Sequence, residues 1–366
     1  MDYTLSEKAL VWLNFFQFMT IDKKHNLLSY YDDPKDIFDT FKNDYEFLKK
    51  IITKQQFDEM LACLDEKYID HQIVSYDVEG IRVLTYLSKD YPQEFLNYDS
   101  YPICLYCKGD ISLIKSFSIA VVGTRKISKY GKFVTEKITR ELTQSGVTII
   151  SGMATGVDTV AHTTCLDNGG KTIAVLGSGF HHIFPKTNFE LFKRICENGL
   201  VITEYNPETL PLAYNFPVRN RIIALISSGV LMTEAGLKSG AIYTINYGIE
   251  YGKEIFAVPG NIDSFSSQGC NQVLKNCQSA ITTCADDILR VFNIDNKSQK
   301  VYKQVQFSVD EQIVINAISN DELSFDEIQA KTKYDTKILV RLLTTLELSG
   351  IIKKSAGNFY SVIFND

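Results

Sequence analysis

The chain has 366 residues, a net charge of −6, and 45% hydrophobic against 22% charged residues. That length suits two or three domains, and the composition excludes a disordered or fibrous chain. No run of about 18 apolar residues offers a membrane helix and the first residues lack the basic-then-apolar signature of a secretory leader, so a cytoplasmic location without membrane contact is expected.

From about residue 5 to residue 83, apolar residues recur at helical spacing: Leu10, Val11 and Leu13, then Ile37, Phe38 and Phe41, then Phe57, Met60 and Leu61. This predicts an N-terminal helical domain over 1–95. Pro92 and Pro102 mark the passage to another texture, in which short β-branched runs alternate with helical segments. Strands are predicted at 119–122, 147–150, 172–176, 200–203, 230–233 and 255–258, with helices at 132–144, 157–166, 189–197, 220–227 and 241–251. Continuous apolar strands separated by helices indicate a parallel sheet covered on both faces. The fold class is therefore α/β, a doubly wound Rossmann-like domain over 96–292. Such sheets bind ligands beyond the carboxyl ends of their strands, near a topological switch point. Glycine or a polar residue follows nearly every predicted strand (Gly123, Ser151, Gly177, Glu204, Glu234, Pro259), and these turns share one edge of the sheet.

A polar linker over 293–308 leads to three helical stretches at 311–318, 325–331 and 336–348. A hairpin follows, with arms at 351–353 and 359–363 around the turn Ala356-Gly357-Asn358. Three helices and a hairpin make a winged-helix domain over 309–366. Its third helix carries Lys337 and Arg341 four apart on one face, and Lys353 and Lys354 fall at the wing. Weak duplex affinity and protein contact are both open to it.

Six loop motifs carry the chemistry. Phe216-Pro217-Val218-Arg219-Asn220-Arg221 is read as opening a helix, where free N–H groups and the dipole favour an anion and guanidinium forks fit phosphate oxygens. Arg125 projects from the turn Gly123-Thr124-Arg125. Ser151-Gly152-Met153-Ala154-Thr155-Gly156-Val157-Asp158 combines a strand end, two glycines and a helix start, and its amides can hold a phosphate or simply turn the chain into a helix. Asp158 and His162, one turn apart, read as a structural pair. Gly177-Ser178-Gly179 has His182 where a dinucleotide fingerprint needs its third glycine, so nicotinamide binding is not expected. Downstream, Lys186 is a phosphate partner, and Phe184 and Phe189 offer flat faces to bases. Ser239 caps the predicted helix at 241, with Gly240 permitting close approach; Val258-Pro259-Gly260-Asn261 turns after the last parallel strand.

The candidate contacts to a polyanion are therefore Gly123, Arg125, Gly152, Lys186, Phe189, Arg219, Asn220, Arg221, Ser239 and Gly240. Cys104-Leu105-Tyr106-Cys107 alone has metal-ligand spacing, and no second Cys/His pair completes a tetrahedral set. No P-loop, nucleophile elbow or nuclease-type carboxylate cluster occurs. No metal, no cofactor and no catalytic residue are assigned, and Glu204 and Glu234 are read as strand-end residues orienting the arginines. A nucleotide-processing enzyme of phosphoribohydrolase type is the alternative, but the Pro-Gly-Gly-x-Gly-Thr loop of that class is absent.

Taken in order, Val-Val-Gly-Thr-Arg, Ser-Gly-Met-Ala-Thr-Gly-Val-Asp, Ala-Val-Leu-Gly-Ser-Gly, Phe-Pro-Val-Arg-Asn-Arg, Glu-Ala-Gly-Leu-Lys-Ser-Gly-Ala and Ala-Val-Pro-Gly-Asn resemble the DNA-processing protein A family, also called Smf. The resemblance spans residues 101–284 and implies a non-enzymatic, single-stranded DNA-binding mediator of natural transformation. It implies a cytoplasmic homodimer that protects incoming DNA and loads the RecA recombinase onto strands covered by single-strand-binding protein. On it, the candidate polyanion contacts are single-stranded-DNA contacts, with Arg125 the pocket arginine and Lys186 the basic residue of the third loop. The chain departs from the family pattern at Thr124, where serine is usual, around Asn271 to Cys277, and in lacking a Gly-Ile-Gly hairpin near Phe18 to Lys24.

Overall fold

The computed structural model describes residues 3–276, 278–294, 307–318, 322–348, 351–355 and 357–362. They fall into two compact units, Met1–Ser298 and Gln299–Asp366, each described by itself.

The first unit opens with helices α1 (Leu5–Leu13) and α2 (Ile21–Leu28), the single-turn helices α3 (Ile37–Thr40) and α4 (Tyr45–Leu48), then α5 (Lys54–Ala62) and α6 (Glu66–Val78). Thr4 caps α1 in a reciprocal capping box with Glu7, the arrangement its Thr-x-x-Glu sequence encodes. Trp12 is fully buried and packs edge-on to Phe41 at 5.0 Å. These helices and the sheet share one core, which runs from Leu10 and Trp12 through Ile73 to Cys104, Tyr106 and Val201. A polar joint lies in the same contact. Asn14 donates to the Glu204 carbonyl at 2.8 Å and accepts from buried Lys24 at 2.5 Å, whose pKa burial lowers.

The sheet contains β1 (Arg82–Thr85), β2 (Cys104–Gly109), β3 (Ser118–Gly123), β4 (Thr148–Ser151), β5 (Thr172–Val175), β6 (Leu200–Thr203), β7 (Gly229–Glu234), β8 (Glu254–Ala257) and β9 (Ala280–Ile281). Their order is β1-β2-β6-β5-β4-β3-β7-β8-β9. From β6 to β9 all pairings are parallel, as the continuous apolar runs predict. At one edge the parallel sheet is extended by two strands the sequence reading did not place: β1 and β2 pair antiparallel and β2 joins β6 antiparallel. Cys104 and Cys107 lie in β2 as buried apolar residues, and burial pushes both thiols up to about 12.

Helices α7 (Lys129–Gln144), α8 (Val157–Asp167), α9 (Phe189–Asn198), α10 (Asn215–Ile226), α11 (Ala241–Glu250), α12 (Gln268–Lys275) and α13 (Ala285–Val291) complete the unit. The chain runs outward from β3 through β4, β5 and β6, then returns to the other side of β3 with β7. The switch point is thus the gap between the carboxyl ends of β3 and β7.

The second unit holds α14 (Val309–Ile318), α15 (Phe325–Thr332) and α16 (Thr336–Leu348). The strands β10 (Leu323–Ser324), β12 (Phe359–Val362) and β11 (Ile352–Ser355) form its small antiparallel sheet. This is the winged-helix layout. Gly357 and Asn358 take positive φ in its turn, while Ala356 lies outside the described residues, as do 295–306 of the expected linker.

Candidate functional site

Three loops meet at the switch point because their backbones bond to one another. Thr124 N–H donates to the Glu234 carbonyl at 2.7 Å, and Val157 N–H donates to the Thr124 carbonyl at 3.1 Å. Gly156 makes this approach possible: its φ is +82°, and a Cβ there would lie 2.2 Å from the Thr124 oxygen. The loops and α10 enclose a cleft of about 540 Å³. Its lining includes Gly123, Arg125, Lys126, Phe216, Arg219, Asn220, Lys238, Ser239, Gly240 and Phe265.

Arg125, Lys126 and Lys238 are exposed on the rim of the cleft. The Arg125 guanidinium sits 5.5 Å from the Phe216 ring, a cation–π contact that steadies it without using its N–H donors. Phe216 in turn lies 5.6 Å from Phe184, which is 45% exposed. Beyond Phe184 come exposed Lys186 and then Phe189, 45% exposed, with Lys193 Nζ 4.7 Å from its ring. Phe184, Lys186 and Phe189 are thus exposed on the segment that leads from β5 into α9 and are not part of the cleft lining.

The two arginines of the Arg-Asn-Arg motif behave otherwise. Helix α10 starts at Asn215, not near residue 220, so Arg219 and Arg221 lie in its second turn and not at its free N–H groups. Two apart on a helix, they project to different sides. Arg219 is 3% exposed and donates to the carbonyls of Gly152 (2.7 Å) and Val175, beside Asp158. Burial pulls its pKa down to about 10, which leaves it charged at neutral pH. Arg221 is 2% exposed, forms an ion pair with Glu204 and donates to the Ser100 carbonyl at 2.6 Å. The expectation that both contact phosphate is corrected for Arg221, which is held in a buried ion pair outside the cleft lining; Arg219 lines the cleft but gives Nε and Nη1 to internal acceptors.

Gly152 is corrected for a related reason. Its amide and that of Ala154 both donate to the Asp158 carboxylate, at 3.1 and 3.2 Å, so that loop holds its own carboxylate in place of a phosphate. A Cβ on Gly152 would press on the Arg219 guanidinium at 2.6 Å. Burial raises Asp158, and the same desolvation, with Arg219 nearby, drops His162 to about 3. His162 bonds Thr172 Oγ1 at 2.7 Å through Nδ1, so the pair is structural, as read from the sequence.

Asn220 stays at the cleft, donating to the Gly240 carbonyl at 3.2 Å and accepting from Arg219 Nε. Gly240, not Ser239, is the N-cap residue of α11, while Ser239 Oγ accepts from Ala241 N–H at 3.3 Å. A Cβ on Gly240 would meet nothing within 4 Å, so close approach from the cleft is sterically free. Glu234 is 2% exposed and accepts from Ser128 N–H (2.8 Å), Ser128 Oγ (2.6 Å) and Ser266 Oγ (2.7 Å). Sequence reasoning passed over Lys126, Lys238 and Phe265. The signal for Phe265 was a lone aromatic in the polar run Asp263-Ser264-Phe265-Ser266-Ser267.

Among the described residues, no group of three or more His, Cys, Asp or Glu could hold a metal ion, and no helix is long and apolar enough to cross a membrane.

Residues 82–293 match the family described as DNA recombination-mediator protein A, and residues 305–358 match the DprA winged helix domain. The chain is 38% identical over 233 residues to the DNA processing protein DprA of Streptococcus pneumoniae, covering 63% of this chain and 82% of that protein. It is 40% identical over 196 residues to protein Smf of Escherichia coli, covering 53% of this chain and 52% of that one. Among solved structures, DNA processing protein A from S. pneumoniae superposes with a TM-score of 0.60 at 31% identity, covering 79% of this chain and 98% of that one. A structure of DNA processing protein A from Helicobacter pylori, titled for its single-stranded DNA binding mode, superposes with a TM-score of 0.53 at 29% identity, over 58% of this chain and 95% of that one.

Proposed function

The chain belongs to the DNA recombination-mediator protein A family, and on that premise we propose that it binds single-stranded DNA along the carboxyl edge of its central sheet as a recombination mediator. One observation carries the reading. Exposed cations (Arg125, Lys126, Lys238) line the switch-point cleft, and a further cation and two rings (Lys186, Phe184, Phe189) are exposed on the segment from β5 into α9 of an otherwise acidic chain. Cations meet phosphates, rings accept any base, and the combination favours strands without regard to sequence. We extend the proposal to a cytoplasmic homodimer that protects incoming DNA and loads the RecA recombinase, with single-strand-binding protein as a further partner, during natural transformation.

A non-enzymatic role is part of the proposal. Asp158, which lines the cleft, and neighbouring Glu234 are both occupied by internal donors and so poorly placed to act as nucleophile or base. Filter binding of oligothymidine and a matched duplex across a salt series tests the reading. Preference for the single strand with a clear salt slope is expected, together with no release of free base from nucleoside monophosphates. Equal affinity for duplex, or metal-dependent cleavage lost in Glu234→Gln, would overturn it.

A further inference from the structure

The loop after β8 carries a ring whose placement the packing of the core does not explain. Phe265 is 72% exposed, yet its backbone is fixed on both sides. Next to it, Ser266 Oγ donates to buried Glu234 at 2.7 Å and contacts Ser264 Oγ at 3.0 Å. Ser267 N–H donates to the Ser264 carbonyl at 3.0 Å, and Gly269 N–H to the Ala235 carbonyl at 2.7 Å. Phe265 also lines the cleft that holds Arg125 and Lys238, and its edge rests on Gly236, where a Cβ would lie 3.3 Å from the ring. A fixed, exposed aromatic face loses little conformational freedom when a flat partner covers it. The other ring in the cleft, Phe216, is already flanked by Arg125, Arg219 and Phe184 at 5.5, 5.9 and 5.6 Å. The cleft volume of about 540 Å³ falls in the range of small-molecule sites and holds one nucleotide more readily than several.

From this we propose that the cleft is a single-nucleotide subsite in which Phe265 stacks the base while Arg125 and Lys238 face its phosphate, separate from the outer track at Lys186 and Phe189. The inference rests on the single-strand-binding reading above and adds to it the residue that grips a base inside the cleft. Glu234 then acts as a positioning residue, because its carboxylate staples the Phe265 loop to the end of β7.

Phe265→Ala and Phe265→Trp in the full chain test this, since the position is exposed and neither change disturbs the core. Phe265→Ala should weaken oligothymidine binding by roughly 5- to 100-fold, the usual range for one stacked base, and leave the salt slope unchanged. Arg125→Ala should make that slope shallower by roughly 0.7. The chain has one natural tryptophan, Trp12, fully buried, so new emission from Phe265→Trp reports on the cleft. Thymidine 5′-monophosphate should quench that emission and inorganic phosphate should not. The inference is overturned if Phe265→Ala binds within about twofold of the parent and Phe265→Trp emission ignores the nucleotide, while Arg125→Ala still loses affinity. If Arg125→Ala and Phe265→Ala are both silent, the single-strand reading of this edge falls with it.

Discussion

Helix α10 and the loop after β3 both present arginines toward the switch point, and they use them in opposite ways. On α10, Arg219 and Arg221 are 3% and 2% exposed and give their donors to two carbonyls, a carboxylate and a third carbonyl. On the loop, Arg125 is exposed and its guanidinium rests on the face of Phe216, a contact that leaves its N–H donors to solvent or a ligand. A guanidinium is costly to bury and is buried only when its donors find partners. Arg219 lines the cleft and ties α10 to the ends of β4 and β5, Arg221 ties it to Glu204 after β6, and the outer arginine is the one with donors available to a phosphate. Residue type alone does not separate a scaffold from a ligand contact; the fate of the donors does.

The sharpest break in this contrast lies at Arg221. Arg221→Ala leaves Glu204 buried without its counter-charge and should lower unfolding free energy by about 3–5 kcal/mol. Urea denaturation checks it, and a loss below about 1 kcal/mol would put Arg221 in the same class as exposed surface pairs. Acid should act next. Folded His162 stays neutral down to about pH 3, while the unfolded chain takes up its proton near 6.5. Stability should therefore fall as pH drops below 6.5, by up to about 1.4 kcal/mol per unit from this residue. His162→Gln, measured in the same melts, should flatten that slope, and an unchanged slope would assign it to other groups.

Arg125→Ala gives the complementary result: an unshifted melting curve with weaker oligothymidine binding and a salt slope shallower by roughly 0.7. A destabilised Arg125→Ala protein would erase the distinction between the two regions. Removing the second compact unit, with the chain ending at Asn293, should leave the first folded with most of its oligothymidine affinity. Loss of nearly all affinity in a folded truncation would move the site to the winged helix, where Lys337, Arg341, Lys353 and Lys354 are exposed. The smallest effect belongs to His181, which bridges Glu79 of the helical segment (2.7 Å) and Glu208 (2.9 Å). The hydrogen bond to Glu79 raises its pKa, so its contribution is present below about pH 6.5 and fades as pH rises through the elevated value. His181→Gln should remove that slight alkaline loss from the stability profile.

What the sequence determined by itself was local. The apolar runs located all six strands from β3 to β8, because a strand buried on both faces must be continuously apolar whatever its neighbours are. The turns after them were placed on one edge for the same reason, and Gly123, Arg125, Asn220, Ser239 and Gly240 do line one cleft there. The tertiary structure decided the rest. Strands β1 and β2 are buried runs like the others, but their antiparallel pairing, with β2 joining β6 far along the chain, is set by neighbours in space. The start of α10 at Asn215 was hidden by Pro217, which reads as a boundary although a proline fits the first turn of a helix, where no N–H is needed. Whether Arg219 and Arg221 meet a ligand turned on Gly152, Val175, Ser100 and Glu204, which only the folded chain brings to them. Periodicity is a property of neighbours in sequence, but the satisfaction of a buried charge depends on neighbours in space.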